Sequence, residues 1–393
     1  MTSPSHGRAH PPTAAGGTGE PVPDASAPAA GHREDTGSRS RDAFLDNAKY
    51  LALVLVAVAH AWEPLRDTSR ATEGLYRFVY VFHMPAFIII SGYLSRSFEG
   101  RPNQLRRLVT GVIVPYLIFE TAFTLVMRWA DTPDKSFTVL NPNYALWFLI
   151  ALFIWRLTTP LWKLLRHPLA VSLVIAALAS ATPNIGGDLN LQRVLQFLPY
   201  FVLGLQLRPE HLGTVRHRTV RLLAAPVAAV ALAVAYWSVP RVERNWVFRG
   251  AGAQELGAPW WSGPVMTGLL FGAAVVLTAC FLAWVPSHRT WFTALGAGTM
   301  YGYLLHVYPV QLSRVWDWYE PGWVDSPAGR IVVTLAAAAT VTALCTPPVR
   351  HVFRFAVEPR AQWLFRQDAA AAARRRLAAE RPAREEELVR AAR

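Results

Sequence analysis

The chain reads FLDNAKYLALVLVAVAHAW from Phe44 to Trp62, an apolar stretch that carries one lysine and one histidine. About 20 apolar residues are enough for a helix to cross a bilayer, so this stretch predicts a membrane span containing Lys49 and His60. Ionisable side chains at membrane depth are energetically costly, and where they occur they point to a function. The apolar stretch therefore indicates a membrane protein, and Lys49 and His60 mark a candidate site.

Apolar stretches recur along the whole chain of 393 residues, of which 52% are hydrophobic and only 17% are charged. This composition and segment pattern predict an all-α fold, a polytopic membrane protein with about ten transmembrane helices. The expected spans lie near 44–62, 77–95, 108–128, 143–160, 168–183, 194–207, 219–238, 264–284, 294–313 and 331–348.

The basic residues are unevenly distributed between the two sides of these spans. If the N-terminus is cytoplasmic, most of the 39 Lys and Arg residues fall on the cytoplasmic side. The positive-inside rule therefore predicts a multi-pass protein of the plasma membrane with both termini cytoplasmic. The net charge of +13 then belongs to short loops and a tail. Such charge favours contact with the headgroups of the lipid bilayer, and no nucleic acid is expected as a partner.

Composition also divides the chain into three regions. Residues 1–42 are rich in Pro, Gly, Ala, Ser and Thr, which predicts a disordered cytoplasmic N-terminal tail without the apolar core of a signal peptide. Residues 43–360 form the expected transmembrane domain, and residues 361–393 a charged cytoplasmic C-terminal tail. Cys280 and Cys345 both fall in apolar spans, so neither a disulfide nor a metal site is indicated.

Lys49 and His60 are eleven residues apart, close to three helical turns, so both point to nearly the same face of the first helix. Their separation along the axis is about 16 Å, which is too far for direct contact. Lys49 is expected near the cytoplasmic end and His60 near the outer end, although Lys49 could simply extend to the inner headgroups. Glu63 follows His60 by three residues, close enough to orient the imidazole.

Further polar residues are expected at the depth of His60. His83 in the second span, His306 in the ninth and Glu120 in the third fall at comparable levels in the outer half of the bilayer. Alone, each histidine is as readily a structural or interfacial group, and Glu120 could be protonated or paired with an arginine. The expected spans contain no HxxxH or HExxH pair, so general-base chemistry is a better interpretation than zinc there.

The basic residues at the cytoplasmic side suit an anionic cofactor. Lys49, Arg106 and Arg107 are the candidates for binding its phosphate groups. No metal is expected.

Several segments, taken in order, resemble one known family. Lys49-x10-His60, preceded by DNAKY, is similar to the opening of the membrane acyltransferase 3 family. FHMPAFIIISGYL at 82–94 resembles its second-helix signature in the form of fucose 4-O-acetylase-like members. The later segments that match are RRLVTGVIVPY at 106–116, LWFLIALFIWRL at 146–157, YFVLGLQL at 200–207 and YGYLLHVYP at 301–309. The resemblance covers about residues 42–357.

The resemblance implies an O-acyltransferase that moves an acyl group, usually acetyl from acetyl-CoA, to a hydroxyl of a carbohydrate or other small acceptor. His60 matches the essential histidine of the family and Lys49 its essential basic residue. Ser91, Gly92 and Tyr93 match the conserved turn of the second helix. Many members have arginine where this chain has Lys49, which weakens any argument that needs bidentate contact at that position.

We therefore expect His60 to act as general base, with Glu63 or Glu120 orienting its ring. Lys49 is expected to anchor acyl-CoA or to stabilise the developing charge. His83 and His306 are expected to line the acceptor side. Ser91, Gly92 and Tyr93 are assigned to binding of the cofactor. Ser91 and Tyr93 could donate hydrogen bonds near the reacting centre, although Ser-Gly at a helix end is more often a packing device. Two alternatives remain open: a transporter or flippase for a glycan or lipid that uses the histidines as a proton relay, and a structural membrane protein with a degenerate site.

Overall fold

A computed structural model describes residues 42–359, 361, 364 and 365. The expected N-terminal tail and almost all of the expected C-terminal tail lie outside these residues. Within the described part of the chain all regular structure is helical, which confirms the expected all-α class. In chain order the helices are α1 Ala43–Ala61, α2 Arg70–Leu94, α3 Pro102–Leu108, α4 Val114–Ala130, α5 Trp147–Leu157, α6 Thr159–Leu164, α7 Pro168–Ala181, α8 Leu191–Gln206, α9 Pro209–Val215, α10 Arg218–Ser238, α11 Asn245–Phe248, α12 Ser262–Trp284, α13 Thr299–Leu305, α14 Val307–Val315, α15 Pro327–Leu344 and α16 Pro347–Val357.

Among the described residues, six helical segments are long and apolar enough to cross a membrane. They are α1, α2, the segment Pro102–Ala130 that joins α3 to α4 through a π-helical turn, α10, α12 and α15. The apolar segments Tyr144–Leu157 and Pro168–Ala181 are shorter. These helices identify a membrane protein, but they do not confirm the expected number of ten spans or the orientation of the termini.

The ninth expected span is broken in two, because α13 ends at Leu305 and α14 begins at Val307. Pro309 has no backbone N–H and so cannot donate to the carbonyl of Leu305, four residues earlier. The break places His306 at the junction of two short helices instead of inside a continuous one.

The central helix of the bundle is α2, which packs against α1, α8, α10 and α12. Glycines allow its backbone to approach α8 closely, because a Cβ atom at Gly92 would overlap the carbonyl of Phe201 and one at Gly204 would overlap the carbonyl of Ile89. Small residues of this kind are typical of helix pairs in membranes. Hence α2 and α8 run side by side with their C-terminal ends together.

The same end of the bundle contains the start of α1, because Phe44 and Ala48 share a buried cluster with Ile90 of α2. We call it the Lys49 end, and the opposite end, where α1 finishes, the His60 end. The outer surface is apolar: only 6% of the apolar window of α10 and 11% of that of α15 is buried. Apolar helices exposed to this degree are suited to contact with lipid.

Candidate active site

The first helix is held firmly at the Lys49 end. Asp42 caps it by accepting a hydrogen bond from the backbone N–H of Phe44 at 2.9 Å. The amide of Asn47 donates to the carbonyls of Pro286 at 2.9 Å and His288 at 3.0 Å. Because α1 is fixed by these contacts and ends at Ala61, it presents His60 from its last turn.

His60 lies in the wall of a cavity of about 270 Å³ at the His60 end. The wall combines aromatic rings, amides, a guanidinium and two imidazoles. Its lining residues are Val56, His60, Glu63, Tyr80, His83, Met84, Asn141, Pro142, Tyr144, Ala145, Trp147, Asn190, Arg193, Phe197, Val247, Phe248 and Tyr303. A mainly apolar pocket with a few convergent polar groups is the usual form of a small-molecule site.

The structure brings the three expected histidines together. The rings of His60 and His306 lie 5.6 Å apart, with 30° between their planes. The ring of Tyr80 is 4.6 Å from that of His83 and 6.4 Å from that of His60. His83 lines the cavity, whereas His306 is absent from its lining.

His306 does not line this cavity, and its expected place on the acceptor side stays a prediction. His306 lines a neighbouring apolar cavity of about 430 Å³ between α1, α14 and α15. Its ring nevertheless stacks next to that of His60.

His83 and His306 are held in the same way. Nδ1 of His83 lies 2.9 Å from the carbonyl of Val79, and Nδ1 of His306 lies 2.6 Å from that of Tyr303. A carbonyl can only accept, so in both rings Nδ1 carries the hydrogen and a neutral Nε2 is an acceptor. Both Nε2 atoms are buried, and neither has a hydrogen-bond partner among the described residues. Leaving such acceptors unsatisfied is unfavourable, so a donor from a ligand would stabilise them.

The Nδ1 atom of His60 contacts a tyrosine that the sequence did not bring to attention. The hydroxyl of Tyr144 lies 2.8 Å from Nδ1 of His60 and 3.0 Å from Oε2 of Glu63. Arg314 donates to the same carboxylate oxygen at 2.7 Å and to the Tyr144 hydroxyl at 3.1 Å. It also donates to the backbone carbonyl of His60 at 3.1 Å. A chain of polar contacts thus joins the imidazole to a partly buried ion pair.

This chain of polar contacts determines which nitrogen atom of His60 is free to accept a proton. The Glu63 carboxylate, paired with Arg314, can only accept, so the hydroxyl hydrogen of Tyr144 points toward Glu63. The Tyr144 oxygen then accepts from Nδ1–H of His60, and Nε2 carries the lone pair. No hydrogen bond from a described residue occupies Nε2. Glu63 is linked to His60 through Tyr144, beyond the end of α1 at Ala61, and its expected role in orienting the imidazole stays a prediction.

The backbone at Tyr144 adopts a left-handed conformation, with φ of 48°. A bulky residue in this region is uncommon and is held there by its surroundings. Glu120 provides part of the restraint, since its carboxylate accepts from the backbone N–H of Asn143 at 2.9 Å and also from the Asn143 side chain. Glu120 is fully buried and has no hydrogen bond to His60. Its oxygens are directed to the loop before Tyr144, and its expected role in orienting the imidazole stays a prediction.

The residues expected to bind the donor lie at the other end. Lys49 pairs with Asp46, one turn earlier, at 2.7 Å. Ser91 donates to the carbonyl of Phe87 in its own helix, and the ring of Tyr93 lies 3.7 Å from the guanidinium carbon of Arg96.

Ser91 and the ring of Tyr93 thus make these contacts away from His60, and their expected role near the reacting centre stays a prediction. Ser91 follows His83 by eight residues, which places it about 12 Å farther along α2. Its hydroxyl bonds within its own helix, and the neighbouring Gly92 serves the packing of α2 on α8.

The two arginines of α3 lie near the surface. The Arg106 guanidinium carbon is 5.7 Å from the ring centre of Phe365, and Arg107 is exposed. Their binding of phosphate stays a prediction. Among residues 42–359, 361, 364 and 365, no group of three or more His, Cys, Asp and Glu residues could hold a metal ion.

Sequence reasoning missed Tyr144, Arg314 and Arg193. Tyr144 lies at the start of a predicted span and carries no charge, so nothing in its sequence context distinguishes it from an interfacial aromatic residue. Arg314 did offer a signal, because it directly follows the ninth expected span on the side that receives few basic residues. Arg193 precedes the sixth expected span on that same side.

Comparison with known proteins identifies the family of the chain. Residues 42–349 match the acyltransferase 3 family, described as an acyltransferase domain. The nodulation protein NolL of Sinorhizobium fredii (strain NBRC 101917 / NGR234) is 26% identical over 333 residues, covering 79% of this chain and 88% of that protein. No solved structure matches the chain. The family match spans α1 to α15 and includes both Lys49 and His60. The chain therefore belongs to the acyltransferase 3 family and is a membrane acyltransferase.

Proposed function

We propose that this protein transfers an acetyl group from acetyl-CoA to a hydroxyl of a carbohydrate or other small acceptor, with His60 as general base. The proposal rests on the series of hydrogen bonds that runs from Glu63 through Tyr144 to Nδ1 of His60. This series leaves Nε2 of His60 as a proton acceptor in the cavity wall. An imidazole held in one tautomer by a carboxylate-anchored partner is a recurrent arrangement in acyl transfer.

In the proposed reaction the acceptor hydroxyl donates a hydrogen bond to Nε2 of His60. As its oxygen attacks the thioester carbonyl, the proton moves to Nε2 and a tetrahedral intermediate forms. The intermediate collapses by breaking the C–S bond, and the imidazolium returns the proton to the leaving sulfur. The products are an ester and free CoA thiol. Glu63 stabilises the transient imidazolium through Tyr144.

The donor enters from the Lys49 end in this proposal. Lys49 keeps about a quarter of its side chain exposed while paired with Asp46, so its ammonium group can contact an anion of CoA. The pantetheine arm then spans the distance of about 16 Å to His60. With both termini cytoplasmic, acyl-CoA comes from the cytoplasm and the acceptor approaches from the opposite side.

The other residues take supporting roles. Arg106 and Arg107 are proposed to add positive charge where the nucleotide part of CoA approaches, while Ser91, Gly92 and Tyr93 shape that entrance by packing. His83 is proposed to contact the acceptor, since its Nε2 needs a donor. Glu120 acts through the loop of Tyr144, and His306 supports the ring of His60 from behind.

The direct test uses protein purified in lipid nanodiscs with acetyl-CoA labelled in the acetyl group. We expect CoA thiol release that depends on the protein, and label recovered as an ester in an acceptor. Lys49→Ala should raise the KM for acetyl-CoA about tenfold with a smaller change in kcat, because it removes one charge contact to the donor. Lys163→Ala, at a lysine that donates to the Phe98 carbonyl, is the matched control. Absence of thiol release and of ester with every acceptor offered would reject the proposal.

A further inference from the structure

One cation in the wall of the cavity has no acidic partner among the described residues. Arg193 donates from Nε to the carbonyl of Phe248 at 3.3 Å and from Nη1 to Oδ1 of Asn190 at 3.2 Å. A guanidinium has five N–H donors, so most of its capacity is left for another group. No carboxylate in the described part of the chain lies within ion-pair distance of it.

Two other arginines of this region do have acidic partners. Arg314 binds Glu63 at 2.7 Å and Arg77 binds Glu73 at 2.6 Å. The contrast matters because a half-buried charge without a counter-ion is unfavourable unless a ligand supplies one. Arg193 is therefore in the state expected of a residue that binds an anionic ligand.

A second guanidinium adds to the positive charge behind the same wall. Arg249 is 4% exposed, and the one hydrogen bond it makes within the described residues goes to the hydroxyl of Tyr200 at 2.8 Å. The rings of Trp147 and Phe197 stack at 5.3 Å, with Arg193 5.7 Å from the first and Arg249 5.7 Å from the second. Two cations thus flank one aromatic pair, and no described carboxylate lies within 4 Å of either.

The rest of the wall suits a polar ring compound. Trp147, Tyr80 and Phe248 provide aromatic faces, and Asn141 and Asn190 provide amides. Nε2 of His83 is a buried acceptor without a partner, so a hydroxyl of the ligand would satisfy it. Aromatic faces with a few convergent polar groups fix the orientation of a small polar ligand.

We infer that the acceptor is an acidic sugar or similar small polyol, whose carboxylate or phosphate binds Arg193 while one of its hydroxyls meets Nε2 of His60. This inference rests on the proposed acyl transfer. Arg is suited to the role because its planar fork matches the geometry of an oxyanion.

The position of Arg193 assigns it to the acceptor and not to the phosphates of CoA. Arg193 precedes Gly204 by eleven residues in α8, and Gly204 packs against Gly92 at the Lys49 end. The side chain of Arg193 therefore originates about 16 Å from the entrance assigned to the donor. It lines the same cavity as His60, where the acceptor hydroxyl must be.

The test compares acceptors that differ only in the anionic group. Binding to the protein in nanodiscs is measured by thermal stabilisation with methyl glucuronide, methyl galacturonide and a methyl glucoside 6-phosphate, each beside its neutral methyl hexoside. The same pairs are used as acceptors with acetyl-CoA. The variants are Arg193→Gln and Arg193→Lys, and the control is Arg241→Gln at an exposed arginine that bonds the carbonyl of Trp237.

We expect at least one acidic sugar to bind about tenfold more tightly than its neutral partner, and Arg193→Gln to abolish that preference. Arg193→Lys should keep part of it, and the Arg241 control all of it. Equal binding of every acidic and neutral pair by the unaltered protein would overturn the inference, and this comparison holds even if Arg193→Gln does not fold. A raised KM for acetyl-CoA in Arg193→Gln, with the acceptor preference intact, would also overturn it by assigning Arg193 to the donor. Thiol release from acetyl-CoA tests the proposed function separately, because binding needs no transfer.

Discussion

The hydroxyl of Tyr144 lies 2.8 Å from Nδ1 of His60, and the two residues are 84 positions apart in the chain. Tyr144 reaches this position from a left-handed backbone conformation, which the bonds between Glu120 and Asn143 help to hold. The contact joins the last turn of α1 to the loop before α5. It makes the tautomer of His60 depend on a residue in a different part of the chain.

Tyr144→Phe should lower kcat for acetyl transfer roughly a hundredfold, because the imidazole loses the acceptor that keeps hydrogen on Nδ1. The KM for acetyl-CoA should change little, since Tyr144 lies at the end away from the donor entrance. Steady-state kinetics of the two substrates would separate these effects. An unchanged kcat would mean that the contact is only structural. The matched control is Tyr93→Phe, at a tyrosine whose contact with Arg96 is made by its ring.

Glu63→Gln should reduce kcat by a similar factor for a related reason. The amide group of glutamine can donate to the Tyr144 oxygen, and the hydroxyl hydrogen then turns to Nδ1 of His60, which leaves Nε2 protonated. If the two residues act on one tautomer, Glu63→Gln combined with Tyr144→Phe should be scarcely slower than either alone. Kinetic effects that multiply in the double variant would contradict a shared path.

The orientation of the protein can be tested with engineered cysteines. Thr68 lies in the exposed turn at the His60 end, and Gly213 lies in α9 with open space around it. With both termini cytoplasmic, Thr68→Cys in whole cells should react with a membrane-impermeant thiol reagent. Gly213→Cys should react only after the membrane is opened. The reverse pattern would place His60 on the cytoplasmic side and would refute the proposed routes of donor and acceptor. Unaltered protein, with Cys280 half-buried and Cys345 buried, gives the background.

The sequence predicted much of the fold, because a continuous apolar segment is a local property that composition reveals directly. Helices occur at each of the ten expected segments. The number of helices that fully cross the bilayer was not predictable from the sequence, because α8 is short and the α13–α14 pair is broken at His306. Depth along a helix was also predictable from residue spacing. Residue spacing placed His60, His83 and His306 at one depth, and in the structure their rings lie close together.

The details of the site depended on contacts between distant residues. Glu63 and Glu120 both contact the Tyr144 loop that reaches His60, and no periodicity in the sequence reveals the path of this loop. His306 lines a separate apolar cavity beside that of His60, which residue spacing alone did not indicate. Arg193 became informative only when the structure showed that no described carboxylate lies beside it.

The central claim is that Nε2 of His60 removes the proton from the acceptor hydroxyl, and His60→Ala tests it most directly. The variant is compared in nanodiscs with the unaltered protein and with His351→Ala, at an exposed histidine of α16. The measured quantities are thiol release from acetyl-CoA and ester formed in the acceptor. We predict that His60→Ala lowers kcat by about a thousandfold while thermal stability and binding of acetyl-CoA stay close to those of the control. Ester formation by His60→Ala at the rate of the unaltered protein would contradict the account.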